Sequence, residues 1–142
     1  MIIINILYGS SCVGKSYIMN SMDKSLFKIE IDNCEYWKFP ENERARICID
    51  YFILKIKESI KKNYKNIIST CGYLPLPDSK IYTKIEKDFD LKIVHTLILN
   101  KSIDEYKEKI IKRQRHSVMN QLIKDYQWRE TGKQKYNNII IN

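Results

Sequence analysis

The sequence predicts an α/β fold in which helices flank a five-stranded parallel sheet. Two observations carry that prediction. Short β-branched runs alternate with stretches of helical periodicity along all 142 residues, the pattern of a parallel sheet with helices packed on it. The first run also passes directly into GSSCVGKS, residues 9–16, a glycine-bearing turn placed where a strand hands over to a helix.

Ile2 to Tyr8 is a β-branched run ending at Gly9, as a buried parallel strand does. Lys15 to Met22 is the helix expected after the turn, and LFKIEID, Leu26 to Asp32, reads as the second strand. Ile49, Ile53, Ile56 and Ile60 recur at helical spacing, which predicts an amphipathic helix over residues 43–62. NIIST, Asn66 to Thr70, is the third strand and closes at Cys71-Gly72. Pro75 and Pro77 interrupt the chain before a short helix marked by Ile81, Ile85 and Phe89. LKIVHTLIL, Leu91 to Leu99, is the fourth strand. Ser102 and Glu105 stand in capping-box spacing and open a helix with Ile103, Tyr106 and Ile110 on its inner face. A helix around Val118 to Trp128 and a fifth strand, Asn138 to Ile141, complete the pattern. Neither a repeat nor a low-complexity linker divides the chain, so residues 1–142 are expected to form a single domain.

Hydrophobic residues make up 44% of the chain, with few Gly and Pro, which places it among globular rather than disordered sequences. The first eight residues are apolar but too short to span a membrane, and they lack a basic n-region and a small-residue cleavage site. A cytoplasmic protein without a membrane partner is expected, as a monomer or a homodimer. Cys12, Cys34, Cys48 and Cys71 lie far apart without metal-ligand spacing and are expected to be free thiols. The net charge of +8 raises a nucleic-acid partner. Against it, lysines are scattered over every segment, and 20 Lys to 5 Arg, with abundant Ile, Asn and Tyr, fits the codon usage of an AT-rich genome. Where Lys is the default base, Arg is more telling. Four of the five arginines form two close pairs, Arg44/Arg46 and Arg113/Arg115, and Arg129 stands alone.

GSSCVGKS matches G-x-x-x-x-G-K-S between a predicted strand and a predicted helix, the context that turns a motif match into a phosphate-binding loop. Gly9 and Gly14 permit the close backbone approach that a Cβ blocks. Amides from Ser10, Ser11, Cys12 and Val13 through Gly14, with the helix N-terminus, surround the phosphates. Lys15 neutralises the β- and γ-phosphates, and the Ser16 hydroxyl ligates Mg²⁺. The whole is then expected to be a three-layer P-loop NTPase fold.

Two kinds of P-loop protein are disfavoured. A GTPase needs N-K-x-D after a late strand, whereas Asn100-Lys101-Ser102-Ile103 puts Ile where Asp is required. A motor ATPase needs an acidic end to a hydrophobic strand, and the third strand ends in Ser-Thr-Cys-Gly. Without an acid there, Asp32 at the end of the second strand is the carboxylate expected to organise Mg²⁺ or the acceptor, since strand carboxyl ends face the ligand crevice.

With these residues in place the chain resembles the small-molecule P-loop kinases of the gluconate kinase and shikimate kinase type, in the nucleoside–nucleotide kinase group. The resemblance rests on GSSCVGKS, on Asp32, on IISTCG at the third strand and on SIDEYKEKIIKRQRHS after the fourth. The opening GSS also resembles chloramphenicol phosphotransferase-like kinases. In these families the segment after the fourth strand runs into an arginine-bearing lid over ATP, which implies a lid at residues 112–120 with Arg113 and Arg115 on the nucleotide. YNNIIIN looks like their final strand, which helps form the nucleotide-base pocket. By the same resemblance Gly72, and Arg44 and Arg46 after Pro40, fall where such kinases hold the acceptor. The chain departs from the pattern at Cys12, where gluconate kinases usually carry Gly. The shikimate kinases' triple glycine is reduced to Gly72, and only Glu30 and Glu35 stand near Asp32 as a second acid.

The resemblance implies an ATP-dependent phosphotransferase acting on a hydroxyl or phosphate of a small acceptor, a metabolite or a nucleoside or nucleotide. Arginine forks match phosphate oxygens in bidentate geometry, as phosphoryl transfer requires. One rival is a polynucleotide 5′-kinase, with Tyr36, Trp37 and Phe39 stacking on bases. The other is a nucleotide-binding regulatory module without catalysis.

Overall fold

The computed structural model describes residues 1–142 and consists of five strands and five α-helices joined by short 3₁₀ turns. In chain order these are β1 (Ile2–Tyr8), α1 (Lys15–Ser21), β2 (Phe27–Ile29), α2 (Glu41–Lys61), β3 (Asn66–Thr70), α3 (Lys80–Phe89), β4 (Leu91–Leu99), α4 (Ile103–Lys112), α5 (Met119–Thr131) and β5 (Asn138–Ile141). The sheet is parallel throughout, in the order β2-β3-β1-β4-β5. Its central strands are apolar on both faces, and Ile4, Ile6, Leu7, Leu97 and Ile98 are fully buried. No helix is long and apolar enough to cross a membrane.

Parallel strands need crossovers, and crossovers are right-handed. The chain leaves β1 toward β2 and later returns across β1 to β4 and β5. Right-handedness therefore puts α1 on one face and α2, α3 and the α4–α5 pair on the other. The connections from β1 and β4 diverge at their carboxyl ends, which is where an open parallel sheet leaves a ligand crevice.

Helix ends follow local chemistry. The Ser102 hydroxyl accepts from the Glu105 amide and Ser79 caps α3 through Ile81, while Glu41 and Glu43 occupy the first turn of α2 behind Pro40. The second strand is shorter than its sequence pattern. The Ile31 amide donates to the Thr70 hydroxyl at 2.9 Å instead of joining the ladder, and the chain turns into a 3₁₀ segment, Ile31–Cys34. Asp32 thus sits one turn beyond the sheet edge rather than at the end of a strand.

A buried polar cluster lies under the carboxyl end of β1. The Tyr8 hydroxyl meets His95 Nδ1 at 2.7 Å and donates to the Tyr82 hydroxyl at 3.0 Å, and Tyr82 donates to the Pro75 carbonyl. The Tyr136 ring packs edge-on against Tyr8, 5.2 Å between centroids.

Candidate functional site

The loop from Gly9 to Ser16 opens where β1 ends. Its backbone has a definite polarity. The Gly9 and Ser10 carbonyls accept from Lys15 Nζ at 2.5 and 3.0 Å. The Ser11 carbonyl accepts from the Tyr106 hydroxyl at 2.6 Å, and the Val13 carbonyl from Asn100 and Asn142 Nδ2 at 3.2 and 3.1 Å. Asn100 also donates to the Asn142 carbonyl, which leaves its buried Oδ1 without a partner in the protein. The amides of Ser11, Cys12 and Gly14, by contrast, have no acceptor within the protein. Gly14 adopts φ 112°, and a Cβ there would collide with the Asn142 side chain, so only glycine fits. A loop with occupied carbonyls and free amides offers donors suited to an anion.

The loop forms one wall of a cavity of about 220 Å³, whose other walls include Glu30, Asp32, Tyr36, Thr70–Tyr73, Arg113, Asp125 and Arg129. Three cations face three carboxylates here. Burial pushes the Lys15 amine below its ordinary value, and the neighbouring Arg129 adds to the effect. The Arg129 side chain is only 16% exposed and donates from Nε to Asp125 at 3.0 Å. The same Asp125 oxygen accepts from the Ser10 hydroxyl at 2.6 Å.

On the opposite wall the Ser16 hydroxyl donates to Glu30 Oε2 at 3.1 Å, and the Thr70 hydroxyl donates to Glu30 Oε1 at 3.0 Å. Asp32 is exposed to the cavity, and burial and that nearby carboxylate raise the pKa of the Tyr36 hydroxyl. Tyr36 and Tyr73 lie 5.1 Å apart, centroid to centroid, beside it. A second cavity, of about 540 Å³, opens beyond the loop between Gly14, Tyr17, Lys109, Arg113 and Asn142.

The structure brings together Gly9, Ser11, Cys12, Gly14, Lys15, Ser16, Asp32, Gly72 and Arg113 around the first cavity. Ser10 is buried behind the loop and Val13 lies in the core. Arg44 does not face the cavity. It clips the preceding segment through the Phe39 and Trp37 carbonyls and lies over the Tyr73 ring. Arg46 pairs with Glu43 and Asp50 on the exposed face of α2, and Arg115 is exposed outside the cavity. The segment of residues 112–120 is exposed but for Val118 and Met119, which are half-buried. Sequence reasoning did not assign Thr70, Asp125 or Arg129 to the site, and it weighed Glu30 only as a stand-in beside Asp32. The 125/129 spacing reads equally well as a surface helix pair, and nothing in the sequence shows which face of α5 meets the loop.

No protein-family model and no curated protein matches the chain. Among solved structures it is similar to one from the PezAT chromosomal toxin–antitoxin system of Streptococcus pneumoniae, with 17% identity and a TM-score of 0.46. That alignment covers 99% of this chain and 66% of the other, and it carries no information on activity.

Proposed function

We propose that the protein is an ATP-dependent phosphotransferase of the P-loop kinase kind, moving the γ-phosphate to a hydroxyl or phosphate of a small acceptor. The observation that carries this reading is the polarity of the Gly9–Ser16 loop: its carbonyls are held by Lys15, Tyr106, Asn100 and Asn142, and free amides border a cavity that also holds Lys15 and Asp32. Triphosphate oxygens replace the Gly9 and Ser10 carbonyls as partners of Lys15, a cation already desolvated and so strongly attracted to them. The second cavity, past Gly14 and Asn142, accommodates the nucleoside.

Mg²⁺ is implied by this chemistry, and the residues present fit it. Ser16 Oγ and Glu30 Oε2 converge at 3.1 Å. No group of three or more His, Cys, Asp or Glu is arranged for a metal. A two-oxygen set suits an ion that keeps several waters and takes the rest of its shell from phosphates. Bound there, Mg²⁺ would neutralise charge on the β- and γ-phosphates. The carboxylate next to Ser16 is Glu30, so Asp32, on the same cavity beside Tyr36, is left to receive the proton of the acceptor hydroxyl. Arg113 approaches the same cavity from the end of α4.

The test is transfer from γ-labelled ATP with Mg²⁺ to pooled metabolites, nucleosides, nucleotides and 5′-hydroxyl oligonucleotides. Label is expected in a small acceptor and absent with Lys15→Ala. Label only in oligonucleotides would move the reading to a polynucleotide kinase. ATP bound without transfer to any pool would overturn the enzyme and leave a regulatory nucleotide-binding module.

A further inference from the structure

Helix α5 carries a second arginine into the cavity, and the way it is held is informative. Asp125 and Arg129 stand one turn apart, a spacing that on an exposed helix face contributes little. Arg46–Asp50 and Lys84–Asp88 are pairs of that kind, with every side chain more than half exposed. Arg129 differs. Its side chain is 16% exposed, and its carboxylate partner is shared with Ser10, itself 2% exposed, inside the phosphate-binding loop. Both residues line the cavity with Lys15.

A carboxylate in a cavity built for a polyanion works against binding unless it organises something that binds more strongly. Guanidinium has five N–H donors in a fixed fork. Asp125 takes Nε–H and the Tyr136 side chain lies nearby, so donors remain on the terminal nitrogens. Fixing Nε removes rotation about the last side-chain bonds, and the remaining edge suits two oxygens of one phosphoryl group. The link to Ser10 ties that edge to the loop which holds the phosphates.

We propose that Asp125 is a positioning residue that clasps Arg129 to Ser10, so that Arg129, from α5, is the arginine that grips the terminal phosphate. This rests on the phosphotransferase reading above. It places the grip on a packed helix, with the exposed segment of residues 112–120 supplying Arg113 from another side.

Two measurements on the full chain test it. The first needs no nucleotide. With five arginines in the chain, side-chain Nε–H signals in a ¹⁵N-correlated spectrum are few, and Arg129→Gln identifies the relevant one. It is expected to be protected from solvent exchange in the wild type and to lose that protection in Asp125→Asn. The second is calorimetric binding of Mg-ATP and Mg-ADP. Arg129→Gln is expected to lower the ATP-over-ADP preference about tenfold, and Asp125→Asn by about threefold to tenfold, the scale of a lost charge-assisted contact. The double variant is expected to match Arg129→Gln, because Asp125 acts only through Arg129. A merely structural carboxylate would shift both nucleotides alike. Persistence of the protected Nε–H in Asp125→Asn, or a double variant that falls by the product of the singles, overturns the proposal. Should Asp125→Asn not fold, Arg129→Lys keeps the charge without the fork, and retention of full ATP preference by it overturns the proposal equally. A wild type that binds neither nucleotide overturns the phosphotransferase reading and the grip with it, while the arginine signal still decides the clasp.

Discussion

Replacing Gly72 by Ala connects backbone strain to the proposed acceptor side of the cavity. Gly72 follows β3 with φ 47°, in the left-handed region. A Cβ there would lie 2.5 Å from Ile31 Cγ2 and 3.2 Å from Tyr36 Cε1. Ile31 is fully buried, so it cannot swing aside into solvent. The left-handed conformation costs a residue with a Cβ about 1 kcal/mol, and the forced repacking adds about 1–3 kcal/mol. A total of about 2–4 kcal/mol lowers the midpoint of a chain this size by roughly 8–16 °C. Thermal unfolding followed by circular dichroism measures it. Gly132→Ala is the control: φ is −92° and the nearest atoms would lie 3.7 Å away, so stability should hold or rise by up to about 1 kcal/mol. Because Ile31 and Tyr36 flank Asp32, the Gly72 variant should also lose transfer rate below its melting point. A melting point for Gly72→Ala within 2 °C (about 0.5 kcal/mol) of wild type would refute the argument, as would equal losses for both glycines.

Lys15→Met should abolish transfer and unfold no earlier than wild type, since it removes a cation that burial already disfavours; early unfolding would show the amine to be structural. Glu30→Gln should raise the Mg²⁺ concentration needed for half-maximal rate, whereas Asp32→Asn should lower kcat by about tenfold or more at saturating Mg²⁺; a metal titration of both variants separates the two roles. Burial holds the His95 imidazole below its ordinary 6.5, so the unfolded chain takes up a proton first as pH falls. Stability should therefore be full above about pH 6.5 and decline from there toward the depressed folded value. Melting points between pH 7.5 and 5.5 should show that slope, reduced in His95→Gln.

Much of the fold was legible because its signals are local. The β-branched runs at 2–8, 66–70, 91–99 and 138–141 coincide with β1, β3, β4 and β5, each apolar run ending at a change of composition. The second strand was over-read because LFKIEID has strand composition up to Asp32, and no local signal reveals that the Thr70 hydroxyl captures the Ile31 amide from 39 residues away. The strand-to-helix turn at residues 9–16 was legible for the same reason that β1 was. Of the arginines, only Arg113 falls on the cavity where the sequence put it. Arg44, Arg46 and Arg115 occupy turns and helix faces that point elsewhere, while Arg129, the isolated one, is directed inward by a helix orientation that only tertiary packing sets. Glu30 and Asp32 were distinguishable only after the turn at Ile31 separated them.

The tyrosine–histidine cluster beneath the loop answers a problem of slippage. β1 reads Ile-Ile-Ile-Asn-Ile-Leu, a run whose hydrophobicity hardly changes if it slides along its neighbours, so burial alone gives it a weak address. Asn5, whose Oδ1 accepts from the Thr96 hydroxyl of β4 at 2.9 Å, gives part of the address, and Tyr8 supplies the rest. A slide of one residue would carry its hydroxyl to the other face, and a slide of two would carry it roughly 7 Å along the sheet. Either would strand the Tyr8 hydroxyl and its buried partners, His95 and Tyr82, at a cost of about 1–3 kcal/mol for each unpaired group. Gly9 is the next residue, so the cluster that aligns β1 with β4 also fixes the point at which the chain leaves the sheet. The placement of the loop's free amides is thus decided one residue before the loop begins.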